Sequence, residues 1–150
     1  MGTVHATCVV IGEAGVLLRG PSGSGKSALA RRLVEGATER GRFARLVSDD
    51  RVEIAACHGR IVARAVPAIA GRMEARGLGL IAVGHESAAV LRLLVDCLDQ
   101  DPPRWPEDEE STTLLDGVSL RRMAGRATPD FAGLILRGLL TDPGQPAEGD

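Results

Sequence analysis

Aromatic side chains are almost absent from this 150-residue chain, which has two phenylalanines, one tryptophan and no tyrosine. A core must therefore be built from leucine, valine, isoleucine and alanine, and platforms on which nucleic-acid bases stack are not expected. An excess of positive charge is also lacking, because the formal net charge is −2. Nucleic acid is therefore not an expected partner.

Cysteine is scarce as well. Cys8, Cys57 and Cys97 are an odd, widely spaced set that indicates neither a disulfide framework nor a zinc site. We expect them to be small buried side chains in a reducing compartment. The first residues lack the pattern of a secretory signal, and no apolar stretch is long enough to span a bilayer. These absences predict a cytoplasmic protein without a membrane partner.

The most informative stretch has the spacing of a phosphate-binding P-loop, Gly, four residues, then Gly-Lys-Ser. Its residues are Gly20, Pro21, Ser22, Gly23, Ser24, Gly25, Lys26 and Ser27. Residues 15–19 predict a strand before it, and residues 28–34 predict a helix after it. The glycines allow backbone N–H groups to turn onto an anion at the helix N-terminus. Lys26 would supply charge for the β- and γ-phosphates, and the Ser27 hydroxyl is placed to bind Mg²⁺.

Two more strands are predicted around this loop. Residues 4–11 form one, and the turn that follows predicts a hairpin that brings His5 towards the sheet of the P-loop. Residues 43–48 form the other, which ends in Asp49 and Asp50. A carboxylate at this place holds Mg²⁺ or orients a nucleophile. Adjacent side chains point to different sides, so one aspartate is expected to face the metal and the other the acceptor. The sequence leaves open which does which.

Residues 52–63 predict a hairpin that turns near His58. Glu74 and Arg76 then precede an apolar strand that ends at residue 83. Charges next to a buried strand are costly unless they are paired or bound to metal. Both residues are therefore functional candidates, with a structural ion pair as the alternative.

The last third of the chain is less distinct. Residues 86–98 fit a helix or a strand, residues 99–110 predict a charged, proline-rich surface loop, and residues 114–120 predict a last strand. Residues 129–140 predict a helix whose apolar face comprises Phe131, Leu134, Ile135 and Leu139. We expect one domain over residues 1–141 and a flexible tail over residues 142–150.

Four patches in order resemble the catalytic, C-terminal domain of the HPr kinase/phosphorylase family. They are His5, residues 15–27, residues 45–54 and residues 73–81. A P-loop alone is unspecific, but the ordered set is specific. The resemblance implies a P-loop-containing α/β fold, with a PEP carboxykinase-like nucleotide-binding core of mixed β-sheet and flanking helices.

The resemblance also implies a function. Such a protein uses ATP to phosphorylate a serine of HPr, the small phosphocarrier of the sugar phosphotransferase system, and thereby regulates that system. The family also runs a pyrophosphate-linked reverse reaction, and its members are typically hexamers. Lys26 and Ser27 would hold ATP and Mg²⁺, with Glu74 also on the metal, and the aspartate pair would supply the base. The catalytic candidates are His5, Lys26, Asp49, Asp50, Arg76 and Arg126.

Two departures from the family and two other functions are part of this interpretation. Full-length members carry an N-terminal domain, so the resemblance implies a short form that corresponds to the catalytic domain and is similar to truncated members of some bacteria. The family's C-terminal Lys-x-Gly-Arg motif, which supplies a catalytic arginine, has a weak counterpart in residues 123–126. Arg126 is therefore the candidate for this catalytic arginine, with Arg121 or Arg122 as alternatives. A P-loop kinase of small molecules and a nucleotide-binding regulatory module without turnover are the competing functions.

Overall fold

A computed structural model describes residues 2–75, 77–102 and 111–140. The predicted tail, the residue Arg76 and much of the predicted proline-rich loop lie outside these ranges. The described strands are β1 (Gly2–Val4), β2 (Thr7–Ile11), β3 (Ala14–Arg19), β4 (Ala44–Ser48), β5 (Val52–Cys57), β6 (Arg60–Ala65), β7 (Arg72–Ala75), β8 (Gly79–Ala82), β9 (Ala88–Cys97), β10 (Thr112–Leu115) and β11 (Val118–Gly125). The helices are α1 (Lys26–Glu39) and α2 (Pro129–Leu140), with a 3-10 turn at Pro67–Ile69.

One mixed sheet of nine strands organises the described part of the chain. Its order is β1-β5-β6-β9-β3-β2-β4, with β11 added beside β9 and β10 beside β11. Strand β9 is parallel to β3 and β11 and antiparallel to β6. It contacts all three because its first residues pair with β6 and its last residues pair with β11. The predicted α/β fold with a mixed sheet and flanking helices is confirmed.

Apolar side chains bury both faces of the central strands. On β3, Val16 and Leu18 belong to the layer formed with α1 and α2, whereas Leu17 belongs to the layer formed with β5 and β6. Helix α1 packs on α2 so closely that a Cβ at Gly36 would lie 2.6 Å from a methyl carbon of Leu136. The P-loop is therefore held between a doubly covered strand and a buried helix.

Several expectations about strands require correction. The strand predicted over residues 4–11 is broken at His5 and Ala6, so that β1 pairs with β5 while β2 pairs with β3 and β4. The undecided segment 86–98 contains β9, and the single last strand is a hairpin of β10 and β11. That hairpin turns at Asp116 and Gly117, which both have positive φ, as a two-residue turn matched to strand twist requires.

Three expectations about burial are also wrong. Cys57, which was expected to be buried like Cys8 and Cys97, is exposed. Strand β8 forms a separate two-stranded sheet with β7, and Leu80 on it is 68% exposed rather than buried. On α2, Leu134 is 56% exposed, while Leu136 takes a place in the core. Leu134 lies on the far flank because the buried face of α2 runs through residues 131, 132, 135 and 136.

Candidate functional site

The P-loop connects the end of β3 to the start of α1, as the motif predicts. Gly20, Gly23 and Gly25 have φ values of 156°, 82° and 92°, which residues with a Cβ rarely adopt. At Gly20 the space is closed as well, because a Cβ would lie 2.6 Å from the Ser24 hydroxyl and 2.9 Å from the carbonyl oxygen of Cys97. Both conformation and space therefore require glycine here.

Two polar groups are buried inside the loop. The Lys26 ammonium donates hydrogen bonds to the carbonyl oxygens of Gly20 at 2.8 Å and Pro21 at 3.2 Å, and the residue is 6% exposed. Within the described residues, the Ser24 hydroxyl oxygen is buried without a hydrogen-bond partner. A loop that holds a buried hydroxyl without a partner and a buried ammonium group, and that leads into a helix N-terminus, is suited to bind an anion.

Asp49 is the buried member of the aspartate pair and contacts the P-loop. Its Oδ1 accepts hydrogen bonds from the Ser27 hydroxyl at 2.7 Å and from the Thr7 hydroxyl at 2.9 Å. Its Oδ2 accepts one from the backbone N–H of Glu74 at 3.1 Å. Three elements, α1, β2 and β7, therefore converge on one carboxylate.

Asp50 is exposed, and its carboxylate contacts His5. Its φ is 66°, in the left-handed region, and its Oδ1 lies 2.6 Å from Nε2 of His5. His5 occupies the bend between β1 and β2, so the break between these strands is what brings the imidazole to Asp50. The site therefore presents two neighbouring carboxylates in different surroundings: Asp49 points inward to Ser27, and Asp50 points outward beside a histidine.

The signature segment contributes to the site through its backbone. Glu74 lies on β7 with an exposed side chain, and its N–H is the donor to Asp49. Arg76 lies outside the described residues. The strand after Glu74 and Arg76 was expected to be buried, but Leu80 on it is exposed. Pairing of charges beside a buried strand therefore does not explain why Glu74 and Arg76 occur at these positions.

The three candidate arginines near the C-terminus have different neighbours. Arg126 follows β11, is exposed, and lies 3.9 Å from a carboxylate oxygen of Asp101. The next residue, Ala127, touches the P-loop, since a Cβ at Gly25 would lie 2.9 Å from its methyl carbon. Arg121 is exposed on β11, whereas Arg122 donates to Asp96 at 2.6 Å. Arg126 is therefore adjacent in sequence to a residue in contact with the loop.

Asp96, near the end of β9, forms an ion-pair cluster that sequence analysis missed. It accepts two hydrogen bonds from Arg19, at 2.9 and 3.1 Å, in addition to the one from Arg122. Partial burial by itself would raise the pKa of Asp96, but the hydrogen bonds and charges of the two arginines outweigh burial and lower the pKa below its ordinary value. Arg19 is the last residue before the P-loop, so the cluster fixes the strand from which the loop departs.

Burial also affects a thiol beneath the loop. Cys97 is buried against the backbone of Gly20, and burial raises its pKa to about 11 although the Lys26 charge acts in the opposite direction. Its low exposure and raised pKa argue against a nucleophilic role for this thiol.

The remaining geometric findings concern metal sites and membranes. No group of three or more His, Cys, Asp or Glu side chains among the described residues is arranged to hold a metal ion by itself. Neither α1 nor α2, the helices in the described ranges, is long and apolar enough to cross a membrane.

Comparison with known proteins identifies the family. The model of the HPr serine kinase C-terminal domain matches residues 1–87. An HPr kinase/phosphorylase of Clostridium beijerinckii is 39% identical over 80 residues, which cover 53% of this chain and 24% of that protein. An HPr kinase/phosphorylase of Lactobacillus acidophilus is 35% identical over 108 residues, which cover 67% of this chain and 32% of that protein. The chain thus spans about a quarter to a third of the curated relatives it matches.

A solved structure supports the same fold. The Hpr(Ser) kinase/phosphatase from Coxiella burnetii superposes with a TM-score of 0.71 and 23% identity, covering 90% of this chain and 91% of that one. At this identity the likeness shows the fold alone. Because the family model matches more than half of this chain, the chain belongs to the HPr serine kinase C-terminal domain family.

Proposed function

We infer that this chain is an ATP-dependent protein-serine kinase/phosphorylase domain that acts on the phosphocarrier HPr and so regulates the phosphotransferase system. The observation that carries the proposal is that the two neighbouring aspartates have different surroundings. Asp49 is bonded to the serine of a P-loop, while Asp50 is exposed beside His5. Such a site can hold a nucleoside triphosphate on one side and receive a protein hydroxyl on the other.

The P-loop is the donor side. Loop amides and Lys26 would hold the β- and γ-phosphates of ATP, with the ammonium exchanging its carbonyl partners for phosphate oxygens. The Ser27 hydroxyl gives its single proton to Asp49, which leaves its lone pairs able to bind a cation. Mg²⁺ favours few protein ligands together with water and phosphate oxygens, so Ser27, with Asp49 or Glu74, fits it. Bound there, Mg²⁺ would neutralise charge on the phosphates.

Asp50 is the base in this proposal. Asp49 already accepts three hydrogen bonds and is buried, so it is less accessible to a protein substrate. As the seryl oxygen forms its bond to the γ-phosphorus, the bond to the β-phosphate bridging oxygen breaks and the seryl proton passes to Asp50. His5 orients that carboxylate. In the reverse reaction, inorganic phosphate attacks phosphoserine, protonated Asp50 returns the proton to the seryl oxygen, and pyrophosphate leaves.

The other parts of the proposal come from the resemblance. Arg76 and Arg126 are assigned to the transferring phosphoryl group, and Arg126 is preferred to Arg121 and Arg122 because its neighbour contacts the P-loop. A homo-oligomer, hexameric in the family, and a cytoplasmic location also belong to it. A sedimentation experiment that found only monomer at assay concentration would remove the oligomer from the proposal.

The test is phosphotransfer from γ-labelled ATP to purified HPr, with HPr lacking its acceptor serine as a negative control. We expect Asp50→Asn to lower kcat by about 10²–10⁴-fold while ATP binding is retained. Asp116→Asn is the matched control, because Asp116 also has positive φ, at 47°, and asparagine tolerates this conformation equally at both sites. An unimpaired Asp50→Asn enzyme would refute the assignment of the base.

A nucleotide-binding module without turnover is the second candidate function. The observation in its favour is that the family model ends at residue 87, before β9 and Arg126. It predicts saturable ATP binding without label on HPr. One turnover of phosphoserine formation would exclude it, and labelling of a metabolite instead of HPr would indicate a small-molecule kinase.

A further inference from the structure

Thr7 connects the two aspartates of the site, although nothing in the motif analysis identified it. It is the first residue of β2 and is fully buried. Its hydroxyl donates to Oδ1 of Asp49 at 2.9 Å and accepts the backbone N–H of Asp50 at 3.2 Å. One side chain therefore touches both members of the pair.

The strand register explains why Thr7 reaches both. Strand β2 runs antiparallel to β4, with Cys8 opposite Ser48, and the register shifts between Cys8 and Val9. The beginning of β2 thus lies beside the end of β4, where the aspartate pair follows. His5, two residues earlier, contacts the Asp50 carboxylate from the same segment.

We propose that Thr7 is a positioning residue for the phosphotransfer reaction, an inference that rests on the proposed function. Its hydroxyl has one proton and two lone pairs, so it can donate to the Asp49 carboxylate and accept from the Asp50 backbone at the same time. The first bond orients Asp49 towards Ser27. The second holds the Asp50 backbone, which has φ 66°, in the conformation that turns its carboxylate outward to His5.

This role differs from that of a hydroxyl that is merely satisfied in the core. Valine has nearly the shape of threonine but can make neither hydrogen bond. If Thr7 only fills its pocket, Thr7→Val should lose stability and nothing else. If it positions the aspartates, the loss should appear in kcat, because Thr7 is fully buried, out of reach of a protein substrate, and its hydroxyl bonds to Asp49 and Asp50.

The principal experiment measures kcat and KM for HPr in Thr7→Val and Thr7→Ser. We expect kcat of Thr7→Val to fall about 10–100-fold, as for other residues that orient a ligating carboxylate, with KM for HPr changed less than about twofold. Thr7→Ser should stay within about threefold of wild type because it keeps the hydroxyl. Thr38→Val is the matched control: its hydroxyl bonds to the Val34 carbonyl on an exposed face of α1, and its activity should be unchanged.

A second pair of variants keeps the inference testable if Thr7→Val does not fold. Thr7→Ala and Thr7→Ser both lack the methyl group and differ only in the hydroxyl. We expect kcat of Thr7→Ala to be at least about tenfold below that of Thr7→Ser. Equal kcat values in this pair, or a Thr7→Val enzyme with wild-type kcat, would overturn the inference.

A binding measurement separates this inference from the proposed function. Titration calorimetry with ATP is carried out in Mg²⁺ and in EDTA. In EDTA, Thr7→Val should bind ATP as tightly as wild type. In Mg²⁺, the increase in ATP affinity should be about tenfold smaller in Thr7→Val than in wild type. If the wild-type chain transfers no phosphoryl group to HPr, the proposed function fails and this titration alone decides the role of Thr7. An unchanged Mg²⁺ dependence in Thr7→Val would then overturn it.

Discussion

The ion-pair cluster of Asp96 provides the most quantitative prediction. Asp96→Asn keeps the shape of the side chain but removes the charge that Arg19 and Arg122 share. The Asp96 side chain is 18% exposed, so the cluster lies between a fully exposed pair, which contributes about 0–1 kcal/mol, and a buried pair, whose disruption costs about 3–5 kcal/mol. We expect a loss of about 2 kcal/mol of unfolding free energy. For a chain of this size that corresponds to about 4–8 °C in Tm.

The pH dependence tests the cause of this loss. The pKa of Asp96 is lower in the folded protein than its ordinary value of about 3.9, so the unfolded chain takes up the proton first as the pH falls. The stabilisation is therefore complete above about pH 5. It disappears as the pH falls from the ordinary value through the lowered one, and the difference between wild type and Asp96→Asn should shrink there.

Urea unfolding of both proteins between pH 7 and pH 3 is the assay. Asp101→Asn is the control, because Asp101 is 85% exposed and lies 3.9 Å from its arginine partner. We expect it to be within about 0.5 kcal/mol of wild type at every pH. An Asp96→Asn protein as stable as wild type at pH 7, or a difference that stayed constant down to pH 3, would refute the argument.

Three other predictions concern packing and thiol chemistry. Gly15→Ala should destabilise the fold by about 1–3 kcal/mol in urea, because its Cβ would lie 2.8 Å from a carbonyl oxygen of β9; an unchanged midpoint would contradict that packing. Leu136→Ala should cost about 2–5 kcal/mol in the same assay, whereas Leu134→Ala should stay within about 0.5 kcal/mol, and equal losses would count against the orientation of α2. At pH 8, Ellman's reagent should modify the exposed Cys57 at least about tenfold faster than the buried Cys8 and Cys97, because burial raises the pKa of Cys97 to about 11. The substitution Cys57→Ser should abolish the fast phase of the reaction. A fast phase that persisted in this variant would contradict the prediction.

The features that sequence analysis predicted well are encoded locally. The P-loop was recognisable because its glycines, lysine and serine have a fixed spacing and lie between a strand and a helix. The hairpin before it was recognisable from its turn residues. The divergence of Asp49 and Asp50 follows from the same kind of rule, since adjacent side chains after a strand point to different sides.

The features it missed depend on contacts between distant parts of the chain. Strand β9 is covered on both faces, so its apolar residues do not alternate with polar ones, and the sequence could not decide between a strand and a helix. Asp96 has its arginine partners on β3 and β11, and nothing in the local sequence announces either contact. Thr7 is linked to the aspartate pair only by the pairing of β2 with β4.

The last hairpin does have a local signal in its turn. Asp116 and Gly117 form the dipeptide typical of a two-residue hairpin turn, and this pair predicts the two strands where one was expected. The exposure of Leu134 and Leu80, in contrast, depends on where α2 and the β7–β8 hairpin pack, which no local pattern determines.

The position of β9 has a consequence for the nascent chain. Val16 on β3 lies opposite Leu93 on β9, roughly 77 residues later. At about 5–20 residues per second, a ribosome needs about 4–15 s to deliver β9 after β3 has been made. During that interval an apolar strand edge beside the P-loop has no partner. Strand β2 cannot cover that edge because it pairs with the opposite edge of β3, and α1 packs on a face of the sheet. Slower translation of the segment between β3 and β9 should therefore increase aggregation of the nascent chain.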